Sequence, residues 1–113
     1  MKWDKVTKVD ELKNTIHNFN KQREWHKYHN PKNLSVSIAI EVAELMQHFQ
    51  WLKEEDIENE IQQNQEKFTE IKEEIADVLI YCLCFANHLD IDITEAILNK
   101  IEKNSLKYPN SIG

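Results

Sequence analysis

The sequence of 113 residues has almost no glycine, and its one glycine, Gly113, is the last residue. Loops that hold phosphate through backbone amides, of the P-loop or dinucleotide-binding type, need several glycines at fixed spacing. Tight hairpin turns and glycine helix caps need them as well. The shortage therefore excludes glycine-loop nucleotide binding and disfavours a multi-stranded β protein, so an all-α protein with short polar connections is predicted.

Cysteines and long apolar runs are also few, and the 20 acidic residues outnumber the 14 basic ones. A net charge of -6 argues against binding to a nucleic acid polymer. The longest apolar run, residues 75–89, is broken by Asp77 and His88 and is shorter than the roughly 20 residues of a membrane span. Cys82 and Cys84 point to different sides of a predicted helix and are interpreted as reduced core residues. Because no apolar signal segment is found either, a cytoplasmic protein without membrane attachment is predicted.

The size and periodicity of the sequence predict one helical domain over residues 1–113, with a frayed tail at 110–113. Helices are predicted over 7–27, from 33 or 35 to 51, over 66–89, and from 92 or 94 to 106. The acidic stretch 53–66 is predicted as either a short exposed helix or a mobile loop. Thr7 and Asp10 fit a capping box for the first helix, and Pro31 follows its expected end.

Two carboxylate pairs lie on apolar helices rather than on solvated faces. Glu41 and Glu44 lie beside the apolar stripe of the second helix, and Glu74 and Asp77 lie on the third. Apolar side chains point in every direction along the third helix between residues 75 and 85, which predicts that this helix is buried. No basic residue lies one turn from Asp77, and an unpaired buried carboxylate is costly. A metal, a cation from elsewhere or a raised pKa is then required.

The spacing within each pair puts its two carboxylates on one helix face, one turn apart. If the two helices pack antiparallel, all four carboxylates converge, and hard cations such as Mg²⁺ or Mn²⁺ suit such an all-oxygen set. Di-iron bundles use Glu-x-x-His pairs instead, but Gln47 and Ile80 occupy the positions three after Glu44 and Asp77. Ordinary surface acids remain the alternative for these residues.

In this order, the two pairs resemble the metal motif of the MazG-like, all-α nucleoside triphosphate pyrophosphohydrolases. The flanking residues resemble the dCTP pyrophosphatase branch of that family more specifically. The matching blocks are residues 23–34, 41–45, 49–51 and 73–81, followed by Lys100, Asn104, Lys107, Tyr108 and Pro109. The resemblance covers residues 19–109, which is nearly the whole predicted domain.

The resemblance implies hydrolysis of a (deoxy)nucleoside triphosphate, dCTP or a related or modified pyrimidine nucleotide, to the monophosphate and pyrophosphate. It implies a four-to-five-helix bundle completed as a homodimer or homotetramer, with sites lined by more than one subunit. Mg²⁺, or Mn²⁺ in its place, would be held by the catalytic residues Glu41, Glu44, Glu74 and Asp77. Where dCTP-preferring relatives can carry a histidine, this chain has Ile16, so the base preference stays open.

The predicted substrate site combines three groups of residues. Trp25 and Trp51 match the aromatic residues that hold the base in this branch. Lys100, Asn104, Lys107 and Tyr108 match its phosphate-binding end. His29 and Asn33 are predicted near the base or sugar, and Tyr81 beside the carboxylates. Two other functions stay open at this point, a non-catalytic helical interaction module and a di-iron carboxylate protein.

Overall fold

A computed structural model describes residues 3–110 and shows five α-helices, with no strand in that range. The helices are α1 (Val9–Gln22), α2 (Pro31–Gln47), α3 (Glu54–Gln63), α4 (Gln65–Leu89) and α5 (Ile93–Lys107), with 3₁₀ turns at Trp3–Lys5 and Trp25–Tyr28. The all-α prediction is confirmed, and the acidic stretch forms a short helix rather than a loop. Most of the tail that was predicted to fray, residues 111–113, lies outside the described residues.

The central element is α4, which packs against both α2 and α1. The buried apolar residues are Leu34 on α2 and Cys84 and Ala86 on α4. Two polar contacts fix α1 on the end of α4: Lys13 Nζ donates to the Ile91 carbonyl at 2.7 Å, and Asn87 Nδ2 donates to the Lys13 carbonyl at 3.0 Å. No helix within the described range is both long enough and apolar enough to cross a bilayer.

The start of α2 lies earlier than the sequence predicted. Asn30 is the N-cap, because its Oδ1 accepts a hydrogen bond from the Asn33 backbone N–H at 2.8 Å. Pro31 occupies the first turn, where its missing N–H and fixed φ are tolerated. The helix also ends earlier, at Gln47 rather than at 51, and turns follow it.

The predicted first helix is too long, and its predicted capping box is wrong. Lys8 is the N-cap and makes no side-chain cap hydrogen bond. α1 ends at Gln22, and Glu24 takes a left-handed conformation with φ 59°. This kink turns the following 3₁₀ helix back, so that the ring of Trp25 meets that of Phe19 edge-on, with centroids 5.6 Å apart. A helix continued to residue 27 would carry Trp25 away from this position.

One chain does not bury α4 on all sides, contrary to the prediction from its apolar sequence. Leu79 is 54% exposed, and Ile75 and Ile80 are also exposed. The reason is that α1 and α2 cover only part of the helix surface. The apolar residues Leu98 and Ile101 of α5 are exposed as well. Apolar residues on both α4 and α5 are therefore left uncovered by the described part of the chain.

Candidate metal and nucleotide site

Three carboxylates meet where α2 packs on α4. Oxygens of Glu41, Glu44 and Glu74 lie within 4.8 Å of one another. The first two come from successive turns of α2, and the third faces them from α4. The convergence that the paired spacing predicted is therefore present for three of the four acids.

Asp77 lies beside this cluster, one turn after Glu74 on α4. Its negative charge helps to raise the pKa of both Glu41 and Glu74, which requires that it be close to them. Its side chain is exposed, however, so the predicted burial of Asp77 is wrong. The cause is local, because this side of α4 faces an open cavity rather than another helix.

The buried oxygens without partners belong to Glu41 and Glu74 instead. Their Oε2 atoms are buried and receive no hydrogen bond from residues 3–110. Burial, followed by the neighbouring carboxylate of Glu44, raises the pKa of Glu41 to about 6. Burial and the charge of Glu44 raise the pKa of Glu74 in the same way. Such oxygens are costly to leave unpaired, and a divalent cation would satisfy both.

No side chain of the described range neutralises the three clustered acids. The two ion pairs found there are Lys27 with Glu24 and His48 with Glu70, the latter at 4.0 Å. The charge of His48 lowers the pKa of Glu74, so this residue lies beside the cluster, but burial and the neighbouring acids outweigh it. The donor set is all oxygen, and no Lys or Arg of residues 3–110 forms an ion pair with it, which fits Mg²⁺ or Mn²⁺.

A cavity of about 360 Å³ opens next to Asp77, between α1 and α4. Its walls are mainly apolar and aromatic and include Ile16, Phe19, Trp25, Ile80 and Tyr81. Phe19 is in turn covered by the Arg23 guanidinium, which lies 3.6 Å from the ring centroid. A cavity with aromatic walls that opens at an acidic cluster can hold a base at one end and phosphates at the other.

Four of the predicted substrate residues come together here. Trp25, His29 and Tyr81 line the cavity, and they also line a neighbouring one of about 350 Å³ that includes Asn33. Asn33 Nδ2 donates to the Tyr28 carbonyl at 2.9 Å, which ties α2 to the turn that carries Trp25. Burial raises the pKa of Tyr81, and the charges of Glu41 and Asp77 raise it further, so its phenol stays protonated beside the acids.

The other predicted substrate residues do not line either cavity. Trp51 follows α2 and is 86% exposed. The phosphate-end residues all lie on α5 or directly after it: Lys100, Asn104, Lys107 and Tyr108. Lys107 Nζ lies over the Tyr108 ring, 5.4 Å from its centroid. Their roles stay predictions, because none of them lines either cavity.

Two cavity residues, Asn20 and Cys84, were not predicted as site residues. Asn20 is the buried polar residue of α1, and Cys84 is buried on α4. A signal for both is present in the sequence, since Asn20 lies one turn after Ile16 and Cys84 lies one turn after Tyr81. The helical spacing places each on the same face as a recognised residue.

Comparison with known proteins agrees with this geometry. The model of the MazG-like family matches residues 36–112. The proteins named dCTP pyrophosphatase 1 in Rattus norvegicus and Homo sapiens are each 30% identical over 101 residues, which is 89% of this chain. The chain spans 59% of the length of these relatives. A crystal structure of a pyrophosphatase from Archaeoglobus fulgidus is 46% identical, with a TM-score of 0.81 over 90% of this chain and 93% of that one. The chain belongs to the MazG-like family.

Proposed function

We propose that the protein hydrolyses a (deoxy)nucleoside triphosphate, dCTP or a related pyrimidine nucleotide, to the monophosphate and pyrophosphate in the presence of Mg²⁺. The carboxylate cluster carries this proposal, because its three acids lie within 4.8 Å of one another and two of their oxygens are buried without partners. The names of the relatives, dCTP pyrophosphatase and pyrophosphatase, describe the same kind of reaction.

In this proposal the acids bind the cation, and the cavity binds the base and the sugar. Glu41, Glu44, Glu74 and Asp77 would hold the cation, which supplies neutralisation of the phosphates and a more acidic water. A water oxygen attacks the α-phosphorus, a carboxylate of the cluster takes its proton, and the bond from the α-phosphorus to the bridging oxygen breaks to release pyrophosphate. Trp25 and Tyr81 hold the base and sugar in the cavity beside Asp77, so that the α-phosphate meets the cluster.

In this proposal, a second copy of the chain contributes the residues that bind the phosphate end of the substrate. The chain exposes 9646 Å², whereas a compact monomer of 13.5 kDa exposes about 6,500 Å². Its radius of gyration is 17.2 Å, against about 13 Å for a compact chain of this length. A homodimer or homotetramer would cover the exposed apolar residues of α4 and α5 and bring Lys100 and Lys107 to a partner's carboxylates. The cytoplasmic location stays a prediction from the sequence.

The proposal is tested by measuring pyrophosphate release from a full panel of nucleoside triphosphates with Mg²⁺. The wild-type protein is expected to hydrolyse at least one pyrimidine nucleotide. Glu74→Gln removes a cation ligand while keeping the size of the side chain, and it is expected to lower kcat by about 100-fold or more. Glu73→Gln changes an exposed acid on the same helix and serves as the matched control.

Three results would contradict the proposal in different ways. Equal rates for Glu74→Gln and wild type would remove the cluster from catalysis. Absence of both turnover and a Mg²⁺-dependent rise in Tm would favour a non-catalytic interaction module. Iron retained through purification, with its visible absorption, would favour a di-iron protein.

A further inference from the structure

A partly buried hydrogen-bonded chain lies in the wall of the nucleotide cavity, on the side formed by α1 and the second half of α4. Asn20 Nδ2 donates to Cys84 Sγ at 3.3 Å, and the same sulfur lies 3.3 Å from His29 Nδ1. Asn20 is only 9% exposed, and all three residues line the cavity. A polar chain in an otherwise apolar and aromatic wall is a feature that fixes the orientation of a ligand.

The carbonyl oxygen of Asn20 is left free to accept a hydrogen bond. One amide N–H is used by the sulfur, and no residue in the range 3–110 donates to Asn20 Oδ1. Burial raises the pKa of the Cys84 thiol, so this sulfur keeps its proton at neutral pH. Burial and the charges of His26 and His88 lower the pKa of His29, whose ring is therefore neutral. The chain carries no net charge, and it suits a neutral partner such as a base edge.

The position of this chain along α4 fits the far edge of a base. Asp77, Tyr81 and Cys84 lie on one side of the helix and line the same cavity. From Asp77 to Cys84 the helix rises by about 10 Å. That length is comparable with the separation between the α-phosphorus of a nucleotide and the base edge that carries the exocyclic group. With the phosphates at the carboxylates, this edge reaches Asn20.

We propose that Asn20 is a specificity-determining residue, whose carbonyl oxygen accepts a hydrogen bond from the exocyclic amino group of a cytosine-type base. The inference deepens the proposed function and rests on it. The cytosine amino group donates to Asn20 Oδ1, whereas uracil and thymine place a carbonyl oxygen there. Two acceptors then face each other, and a buried polar group is left without a partner, which is the arrangement that separates close analogues best.

Cys84 holds the Asn20 amide in the orientation that this discrimination needs. An amide that rotates by half a turn presents N–H instead of C=O to the ligand and would accept uracil equally well. The N–H···S contact opposes this rotation, because rotation would place Oδ1 against a sulfur whose proton is within reach of His29 Nδ1. Cys84 is therefore a positioning residue, and Asn20 makes the contact with the base.

The test compares dCTP with dUTP, since cytosine carries an amino group at position 4 and an unprotonated N3, where uracil carries a carbonyl oxygen and an N3–H. The Asn20 variants then separate the contact with the amino group from any contact at N3. The wild-type enzyme with Mg²⁺ is expected to favour dCTP in kcat/KM by about tenfold or more. Asn20→Ala is expected to bring the ratio close to one, mainly through loss of dCTP activity. Asn20→Asp has an acceptor oxygen at both terminal atoms of the side chain and should keep the preference for dCTP. Cys84→Ala should weaken that preference.

Asn18→Ala is the matched control, because Asn18 is an exposed asparagine two positions away on the same helix. It should leave the ratio unchanged, and circular dichroism melting confirms that each variant folds. The inference is overturned if the ratio of kcat/KM for dCTP over dUTP is near one in the wild type, or if it is unchanged in Asn20→Ala. Hydrolysis of either nucleotide would still support the proposed function in that case. If Asn20→Ala does not fold, an unchanged ratio in Cys84→Ala overturns it instead.

A binding measurement separates this inference from the proposed function. Calorimetric titration with dCMP and dUMP needs no turnover and reads the base contact alone. Tighter binding of dCMP to the wild type, lost in Asn20→Ala, supports the inference even if no triphosphate is hydrolysed. Equal binding of the two nucleotides to the wild type overturns it.

Discussion

At the Glu41 carboxylate, burial and Glu44 raise the pKa from the ordinary 4.5 to about 6. The folded protein therefore holds this proton more tightly than the unfolded chain does. The resulting stability is fully present below about pH 4.5 and is lost as the pH rises through about 6. In the metal-free protein, Glu41→Gln should thus raise Tm by a few degrees at pH 7.5 and leave it nearly unchanged at pH 4. Scanning calorimetry at the two pH values measures this.

The same variant should gain less stability from Mg²⁺ than the wild type gains. Mg²⁺ is expected to raise Tm of the wild type at pH 7.5, because the cation binds only the folded state, and to raise that of Glu41→Gln much less. Glu58→Gln, an exposed acid on α3, should match the wild type in both conditions. A lower Tm for Glu41→Gln in the absence of metal would show that this carboxylate stabilises the fold and is not held at a cost.

The carboxylates could be predicted as a site from their sequence, because three-residue spacing on an apolar helix is a local pattern. The same is true of Trp25 and Tyr81 through the family motif. Asn20 and Cys84 were missed because their roles arise only when α1 lies against α4, across a separation of 64 residues. The prediction that the Asp77 side chain is buried was wrong, since an apolar neighbourhood along the chain does not show which side of the helix is left open.

At the scale of the helices, the lack of internal glycine has a measurable consequence. Asp90 ends α4 with φ 53°, in the left-handed region, and its backbone N–H donates to the carbonyls of Ala86 and Asn87. A glycine keeps this N–H and removes the steric cost of the side chain, along with a negative charge at the helix C-terminus. Asp90→Gly should therefore stabilise the protein by about 0.5–1 kcal/mol, measured by urea unfolding.

The control for this change is a glycine in an ordinary helical position. Glu58→Gly lies inside α3 and should destabilise the protein by about 1 kcal/mol. A loss of stability for Asp90→Gly of similar size would show that the aspartate side chain contributes more than its conformation costs.

Helix number and type followed from periodicity, but the ends of the helices did not. Asn30 and Asn64 each cap a helix by accepting a backbone N–H three residues on. Several Asn, Asp, Ser and Thr residues compete for these positions in the sequence, and the choice depends on where the chain enters the bundle. The left-handed Glu24 is harder still to foresee, because a glutamate there has no local preference for that conformation.

At the scale of the molecule, two features support the proposed homo-oligomer. The chain exposes more surface than a compact monomer, and apolar residues of α4 and α5 are left uncovered within residues 3–110. The predicted phosphate-end residues do not line either of the two cavities described. An all-α sequence with a helix apolar on every side predicts burial, and the proposed homodimer or homotetramer would supply it. The family resemblance implies such an oligomer, which stays a prediction, while periodicity within one chain carries no information about a partner.

Shared sites can be tested by mixing two inactive variants. Glu74→Gln removes a cation ligand, and Lys100→Ala removes a phosphate contact, so each homo-oligomer is expected to lose most of its activity. If carboxylates and lysine come from different subunits, a mixed dimer has one site with both groups intact. Unfolding and refolding the two proteins together should then restore about a quarter of wild-type activity, since half of the dimers are mixed and one of their two sites is complete. Light scattering should give a multiple of 13.5 kDa for every sample. Activity no higher than that of the separate variants would place Glu74 and Lys100 in the same site of a single chain.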